Sequence, residues 1–386
     1  MPFEVVDPYA SNNAVIKVVG VGGGGGNAIN HMIDKGMVDV DFICVNTDAQ
    51  ALKSTNAKTV LQLGGELTKG LGAGADPEIG REAALEDRNN IEEILEGTDM
   101  VFLTCGMGGG TGTGATPVIA EIAKEMGILT VAIVTRPFSF EGKKRQKIGD
   151  DGIQLLSDFA DSVITIPNEK LLPVLGRDVS LIKAFNAAND VLYGSVQGIA
   201  DLITNPGLIN VDFADVKAVM AEMGRAMMGT GSASGDHRAR EAAEKAIGSP
   251  LLDDVDVKGA IGVLVNVTSS GDLSIGEFND VGDMVRGFAS DDATVIIGTA
   301  INPELSGEVR VTVVATGLEK GGVAAGEPNL QVIHRKNDGA VDYGALERPT
   351  VLRNKPEQAP KRHKEMPKEL DLEMLDIPAF LRQQAD

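Results

Sequence analysis

The chemistry this chain can do is written mainly in glycine. Gly20-Val21-Gly22-Gly23-Gly24-Gly25-Gly26-Asn27 holds a GxGxxG spacing at Gly20, Gly22 and Gly25, with Asp41 downstream. Between a strand and a helix, such a loop suits a dinucleotide, another phosphate ligand or a plain tight turn. The second stretch is more demanding. Gly106-Met107-Gly108-Gly109-Gly110-Thr111-Gly112-Thr113-Gly114 has six glycines in nine positions. With so little side-chain bulk, backbone N–H groups can converge on phosphate oxygens at the positive end of the following helix. Thr111 and Thr113 add hydroxyl donors. GxxxxGK[ST] is absent, so this is not a P-loop with its phosphate lysine. Glu141-Gly142-Lys143-Lys144-Arg145 reads as a solvated charge run or as an anion-binding set. Asn210-Val211-Asp212-Phe213-Ala214-Asp215 reads most simply as a helix start, with Asp212 at the N-cap and Asp215 at N3.

The elements that must position these residues follow from periodicity. Ala14–Val21, Asp41–Asn46, Met100–Cys105, Ile128–Thr135 and Ser162–Ile166 read as strands alternating with helix-period segments. That rhythm predicts an α/β fold with a Rossmann-like, mostly parallel sheet over residues 14–179, and ligands at the carboxyl ends of its strands. Ser180 to Thr204 carries Leu181, Ile182, Phe185, Leu192, Val196, Ile199 and Ile203 along one stripe, closed by Asn205-Pro206-Gly207. It predicts a central helix roughly 37 Å long. Residues 205–219 then form a loop and a following helix. Gly259–Ser269, Ala293–Ile301 and Glu308–Gly317 read as strands of a second α/β domain, 220–318, with Phe278, Val281, Val285 and Phe288 on one face of a helix between the first two.

Charge narrows the ligand chemistry. The formal net charge of −21 is concentrated in residues 1–318, at about −20, whereas residues 319–369 carry +2 and residues 370–386 carry −3. So acidic a body repels a phosphate backbone, which excludes nucleic acid as a partner and leaves any anionic ligand to local backbone donors. The absence of tryptophan and an aromatic content of 4% argue against base-stacking or membrane-interface work. Cys44 and Cys105 lie in apolar strand runs and read as buried spectators in a reducing compartment. Residues 1–13 form an N-terminal extension with no signal-peptide pattern, and no apolar run reaches the ~20 residues that span a bilayer. The proline-interrupted stretch 319–369 reads as a disordered linker. Residues 370–386 end in an apolar cluster that suits a partner-docking peptide, packing on the chain's own body, or fraying.

The motifs together resemble the tubulin-like GTPases, in their bacterial cell-division (FtsZ) branch. The resemblance rests on GGGTGTG at 108–114, GVGGGGGNA at 20–28, NTDAQAL at 46–52, TKGLGAGADP at 68–77, FEGKKR at 140–145, ITIPNEKLL at 164–172, NPGLINVDFADV at 205–216 and DIPAFLR at 376–382. Asp76, where Asn is common, and Thr116, where Ala is common, depart from the pattern. The resemblance implies GTP or GDP bound by Gly23, Gly24, Gly25, Gly26 and Asn27, with Gly106, Gly108, Gly109, Gly110, Thr111, Gly112 and Thr113 around the phosphates. Ala73 and Gly74 would close over the γ-phosphate, and Glu141 and Arg145 would hold the ribose and α-phosphate. Phe185 would stack on the purine, although its place on the apolar stripe equally suits core packing. Asn168 and Asp190 would bond to the guanine edge. The resemblance further implies that Asn210, Asp212 and Asp215 enter the GTP site of the next subunit in a head-to-tail filament, with Mg²⁺ bound mainly through the phosphates. It implies a cytoplasmic protein of the mid-cell ring, docked through Asp376–Arg382 to membrane-tethering and regulatory division proteins, with no insertion of its own into the membrane. A tubulin-like filament GTPase for plasmid segregation or cell shape is the alternative. A nicotinamide-dependent oxidoreductase would leave the second glycine loop unexplained.

Overall fold

The computed structural model describes residues 14–176, 178–205, 207–221, 224–252, 260–290 and 293–318. The extension 1–13, the linker 319–369 and the terminal peptide 370–386 lie outside the described residues.

Ten strands form one continuous sheet: β1 (Ile16–Val21), β2 (Asp41–Asn46), β3 (Thr59–Gln62), β4 (Met100–Gly106), β5 (Leu129–Arg136), β6 (Ser162–Pro167), β7 (Gly224–Ser234), β8 (Gly262–Ser269), β9 (Thr294–Ile301) and β10 (Glu308–Leu318). Their order is β3-β2-β1-β4-β5-β6-β7-β10-β8-β9. The first seven are parallel neighbours, as the βαβ rhythm requires. β10 then lies antiparallel between β7 and β8, and β9 closes the far edge parallel to β8. The second α/β half therefore extends the first sheet through the short β6–β7 pairing.

The helices are α1 (Gly22–Asp34), α2 (Ala49–Leu52), α3 (Pro77–Glu86), α4 (Arg88–Leu95), α5 (Thr111–Glu125), α6 (Lys143–Leu156), α7 (Leu172–Leu175), α8 (Leu181–Thr204), α9 (Phe213–Met220), α10 (Arg238–Ile247) and α11 (Ile275–Phe288). Strand alternation sorts the core. Val18, Phe102, Val131 and Ile133 face α1 and α8, whereas Val19, Val21, Leu103 and Val134 face α5. Cys44 and Cys105 are free thiols, one in each layer. Burial pushes the Cys105 thiol up to about 12, where it stays protonated and inert.

Central α8 begins at Ser180, whose hydroxyl accepts from the Lys183 N–H, and packs on α1, β5, β8 and β9. Its apolar stripe needs a correction at the start: Leu181, Ile182 and Phe185 are exposed, and the buried face there is Ala184, Ala188 and Leu192. Farther along, Val196, Ile199 and Leu202 are buried, and the Asn266 side-chain amide donates to the Gly198 carbonyl at 2.8 Å. Near its end the buried Asp201 carboxylate accepts from Gln197 and, at 2.9 Å, from Asn205.

Burial is the main influence on Asp201 and raises its pKa above the ordinary carboxylate value; hydrogen bonds from Asn205 and Gln197 and the charge of Arg310 oppose that rise. A raised folded-state value means that ionised Asp201 costs stability above it, a cost that disappears as pH falls through it. Asp201→Asn keeps the acceptor oxygen and removes the charge. Its melting temperature should exceed the unmodified protein's at pH 8, with the gap closing on acidification in a thermal-melt series.

Candidate functional site

The order 3-2-1-4-5-6 reverses direction between β1 and β4, and a crevice opens at such a switch point beyond the strand ends. Both glycine loops leave from there. α1 follows β1 with no side-chain cap and no acid in its first turn, and α5 follows β4 in the same way. Two helix N-termini thus offer unpaired N–H groups and positive partial charge to one crevice. The loops touch backbone to backbone. A Cβ on Gly24 would sit 3.0 Å from the Gly106 nitrogen, and one on Gly25 would sit 2.5 Å from the Thr104 carbonyl oxygen. Gly22, at φ +71°, meets the Gly112 nitrogen at 3.0 Å by the same measure. By contrast, Gly23, Gly26 and Gly109 face open space. The glycines therefore divide into those that seal the loops together and those that leave room for a ligand.

A cavity of about 270 Å³ lies against this seam. Gly24, Asn27, Gly106 and Met107 form one wall; Glu141, Arg145, Asn168 and Phe185 form others. Arg145 Nε pairs with Glu141 Oε2 at 3.2 Å, and Glu141 Oε1 accepts from the Phe138 N–H at 2.9 Å. Lys143 and Lys144 are exposed, so the basic run divides between solvent and site. Phe185 is 42% exposed and meets the buried Phe138 edge-on at 5.4 Å, presenting its ring to the cavity as well as to its neighbour. Asn168 is 4% exposed, yet its side-chain carbonyl oxygen has no hydrogen-bond partner. A buried acceptor on a cavity wall calls for a donor from a ligand.

Three of the expected site residues meet partners within the chain. Asp190 does not line the cavity: its carboxylate lies near the surface, 2.9 Å from His31 Nε2 and 3.1 Å from Lys35 Nζ. Burial favours the neutral acid there, but those two partners outweigh it and leave the Asp190 pKa lowered. The preceding residue, Asn189, lines the cavity instead. Thr113 is turned inward, its hydroxyl oxygen accepting from the Gly108 N–H at 2.8 Å, so it fixes the loop's shape. Thr111 pairs with Thr47, hydroxyl to hydroxyl, at 2.6 Å. Ala73 and Gly74 do join the second loop, the Gly110 N–H donating to the Gly74 carbonyl at 3.1 Å. Both family departures have local partners: Asp76 caps α3 by accepting from the Glu78 N–H, and the Thr116 hydroxyl donates to the Gly112 carbonyl.

The acidic loop lies elsewhere. Phe185 and Thr204 are separated along α8 by about 28 Å at helical rise, and Asn210, Asp212 and Asp215 follow that far end. All three are exposed. Asp212 occupies the N-cap position of α9 without a side-chain capping bond, contrary to the simplest reading of its spacing. Among the described residues neither aspartate carboxylate has a hydrogen-bond or ion-pair partner. Leu208 and Ile209 beside them are also exposed.

Comparison with known proteins fits this arrangement. The family model "Tubulin/FtsZ family, GTPase domain" matches residues 15–176, and "FtsZ family, C-terminal domain" matches residues 224–319. The cell division protein FtsZ of Coxiella burnetii is 64% identical over 371 residues, 96% of each chain. The empty FtsZ dimer of M. jannaschii superposes with a TM-score of 0.77 at 44% identity, covering 83% of this chain and 96% of that one. CetZ2 of Haloferax volcanii, solved as a GTPγS-bound protofilament, shares the fold with a TM-score of 0.67 at 21% identity, over 79% of this chain and 94% of that one.

The two kinds of glycine make separable predictions. Gly110→Ala places a methyl 2.7–2.9 Å from the carbonyls of Gly74, Asp76 and Ala73 and should cost about 1–3 kcal/mol in a denaturant titration. Gly109→Ala meets nothing within 4 Å among the described residues; it should melt near the unmodified temperature yet bind nucleotide at least about tenfold more weakly, through lost space and displaced contacts.

Proposed function

This chain belongs to the Tubulin/FtsZ family, and we propose that its cavity holds a guanine nucleotide hydrolysed only where a second copy supplies the acidic loop. It is a GTPase with a self-assembling, cytoskeletal role in bacterial division.

In this reading residues 14–179 form the nucleotide-binding unit, and residues 220–318 form the second domain beyond the acidic loop. The N-termini of α1 and α5 meet the phosphates, Ala73 and Gly74 close over the γ-phosphate, and Arg145 and Glu141 hold the α-phosphate and ribose. Phe185 stacks on the base. The unpartnered Asn168 oxygen accepts from the guanine edge, and Asn189 replaces Asp190 beside it. Adenine lacks guanine's donor pair of ring N–H and exocyclic amine, so it would leave this buried acceptor less well satisfied. Mg²⁺ would be held through phosphate oxygens and water. There the ion would neutralise charge on the phosphates.

The observation that carries the shared site is the length of α8. Asp212 and Asp215 stand on the wrong end of a rigid helix to reach their own cavity, and among the described residues both carboxylates lack partners. On a neighbour they would orient and polarise the attacking water, with Asn210 beside the γ-phosphate. A contact of one molecule's head with another's tail does not close, so it propagates into a filament. Among the described residues no helix is long and apolar enough to cross a membrane. In this reading the peptide Asp376–Arg382 docks membrane-tethering and regulatory division proteins, which hold the cytoplasmic filament in a ring at mid-cell.

Asp215→Ala should bind GTP and assemble while its phosphate release falls by about two orders of magnitude or more, the scale of a lost water-positioning group. Phosphate release per unmodified chain should also drop steeply on dilution, because the site needs two molecules. Turnover by Asp215→Ala at the unmodified rate, or a specific activity independent of concentration, would sink the shared-site reading.

A further inference from the structure

The stretch Asn46-Thr47-Asp48-Ala49-Gln50-Ala51-Leu52 carries no role in the reading above, yet Thr47 is fully buried and unusually well connected. Its hydroxyl lies 2.6 Å from that of Thr111, the first residue of α5. Its carbonyl accepts from the Gly72 N–H at 3.2 Å and from the Thr68 hydroxyl at 3.2 Å. Nearby, the Ala49 N–H donates to the Gly70 carbonyl at 3.1 Å, and Asp48 forms an isolated β-bridge with Leu71. Segment 68–74 is therefore stitched to the second glycine loop twice, through Thr47 and through the Gly110–Gly74 bond. At its tip Leu71 is 86% exposed.

We propose that Thr47 is a positioning residue that couples phosphate occupancy at α5 to the placement of the Leu71 segment. The proposal rests on the reading that the α5 N-terminus holds the phosphates. In the Thr47–Thr111 pair either hydroxyl can donate. A phosphate oxygen that takes the Thr111 proton settles the choice, because the Thr111 oxygen must then accept from Thr47. Donation runs one way, from Thr47 to Thr111 to phosphate, and each bond polarises the next. Thr47 is thereby held in one orientation, and its carbonyl holds Gly72 and Thr68 with it. Without the phosphate acceptor the pair is free to reverse, and the segment loses that restraint. In that reading the acceptor is the γ-phosphate, over which Ala73 and Gly74 of the same segment close, so the exposed tip is held for a second copy of this chain with GTP and released with GDP.

Thr47→Val keeps the side-chain shape and removes the hydroxyl. Its affinity for GDP should stay within about twofold of the unmodified chain, while the critical concentration for GTP-driven assembly rises about three- to tenfold, the range that one hydrogen bond covers. Thr47→Ser, which restores the hydroxyl, should return the critical concentration to the unmodified value. A split between binding and assembly, with rescue by serine, is not what general loosening of the fold produces. Assembly of Thr47→Val at the unmodified critical concentration overturns the proposal, as does a serine variant that fails to rescue. If Thr47→Val does not fold, judged by its thermal transition, Thr68→Val carries the test. That variant removes one donor to the Thr47 carbonyl and must raise the critical concentration; no change overturns the coupling. An unmodified chain that binds neither GTP nor GDP overturns the reading of the site, and the coupling with it.

Discussion

Everything in this molecule is arranged around a contact between two stretches of bare backbone. Gly22, Gly24 and Gly25 lie against Thr104, Gly106 and Gly112 so closely that a single methyl on any of these three glycines would meet a backbone atom at 2.5–3.0 Å. The contact sets two uncapped helix starts side by side at the sheet's switch point. A body with a charge of about −20 repels an anion overall. Convergent N–H groups and two helix dipoles supply the attraction locally, without a buried lysine and its desolvation cost. The remaining walls of the cavity only have to choose which anion.

In the proposed site that choice would fall to elements with quite different anchoring. Asn168 follows β6, and Glu141 and Arg145 flank the start of α6, so the carboxyl ends of two interior strands, β5 and β6, hold them. Phe185 and Asn189 ride on α8, whose position at this end is set by Ala184, Ala188 and Leu192 beneath it and by Asp190 reaching across to α1. The Asp190 pairs are half-exposed, and such pairs are commonly worth about 0–1 kcal/mol. Packing of small residues therefore positions the helix, and the ion pairs select its rotation. A turn of one residue would exchange Asn189 for Asp190 on the cavity wall.

This is also where the sequence stopped being legible. The parallel strands, the long helix and both glycine loops could be read because apolar runs and glycine spacing are direct consequences of burial and backbone approach. Choosing between Asn189 and Asp190 needs the helix's rotation to within one residue, which periodicity does not resolve. β7 escaped notice for a related reason. Its sequence GRAMMGTGSAS offers no sustained apolar run, and Gly229 and Gly231 are required because Cβ atoms there would lie 2.0–2.2 Å from the α10 carbonyls of Ala246 and Ala242. β3 is a short edge strand with mostly exposed residues and little hydrophobic signal. The exposed start of α8 misled in the opposite direction, since Leu181 and Ile182 are apolar residues that this chain leaves uncovered.

A single-molecule alternative, in which the acidic loop folds back onto its own cavity, fails on energy. The loop would have to cross about 28 Å, and only unwinding or swinging α8 out of the sheet could deliver it. Leu192, Val196, Ile199 and Leu202 are all buried in that interface, and exposing each large apolar side chain costs about 1.5–3 kcal/mol. The Asn266–Gly198 bond and the buried Asp201 network would break as well. The total reaches the roughly 5–15 kcal/mol that holds a whole domain together. Rotation of a second molecule into place disrupts none of these contacts. In the proposed shared site, the rigidity of α8, which looks like an ordinary feature of the core, is what would make this chemistry depend on a neighbour.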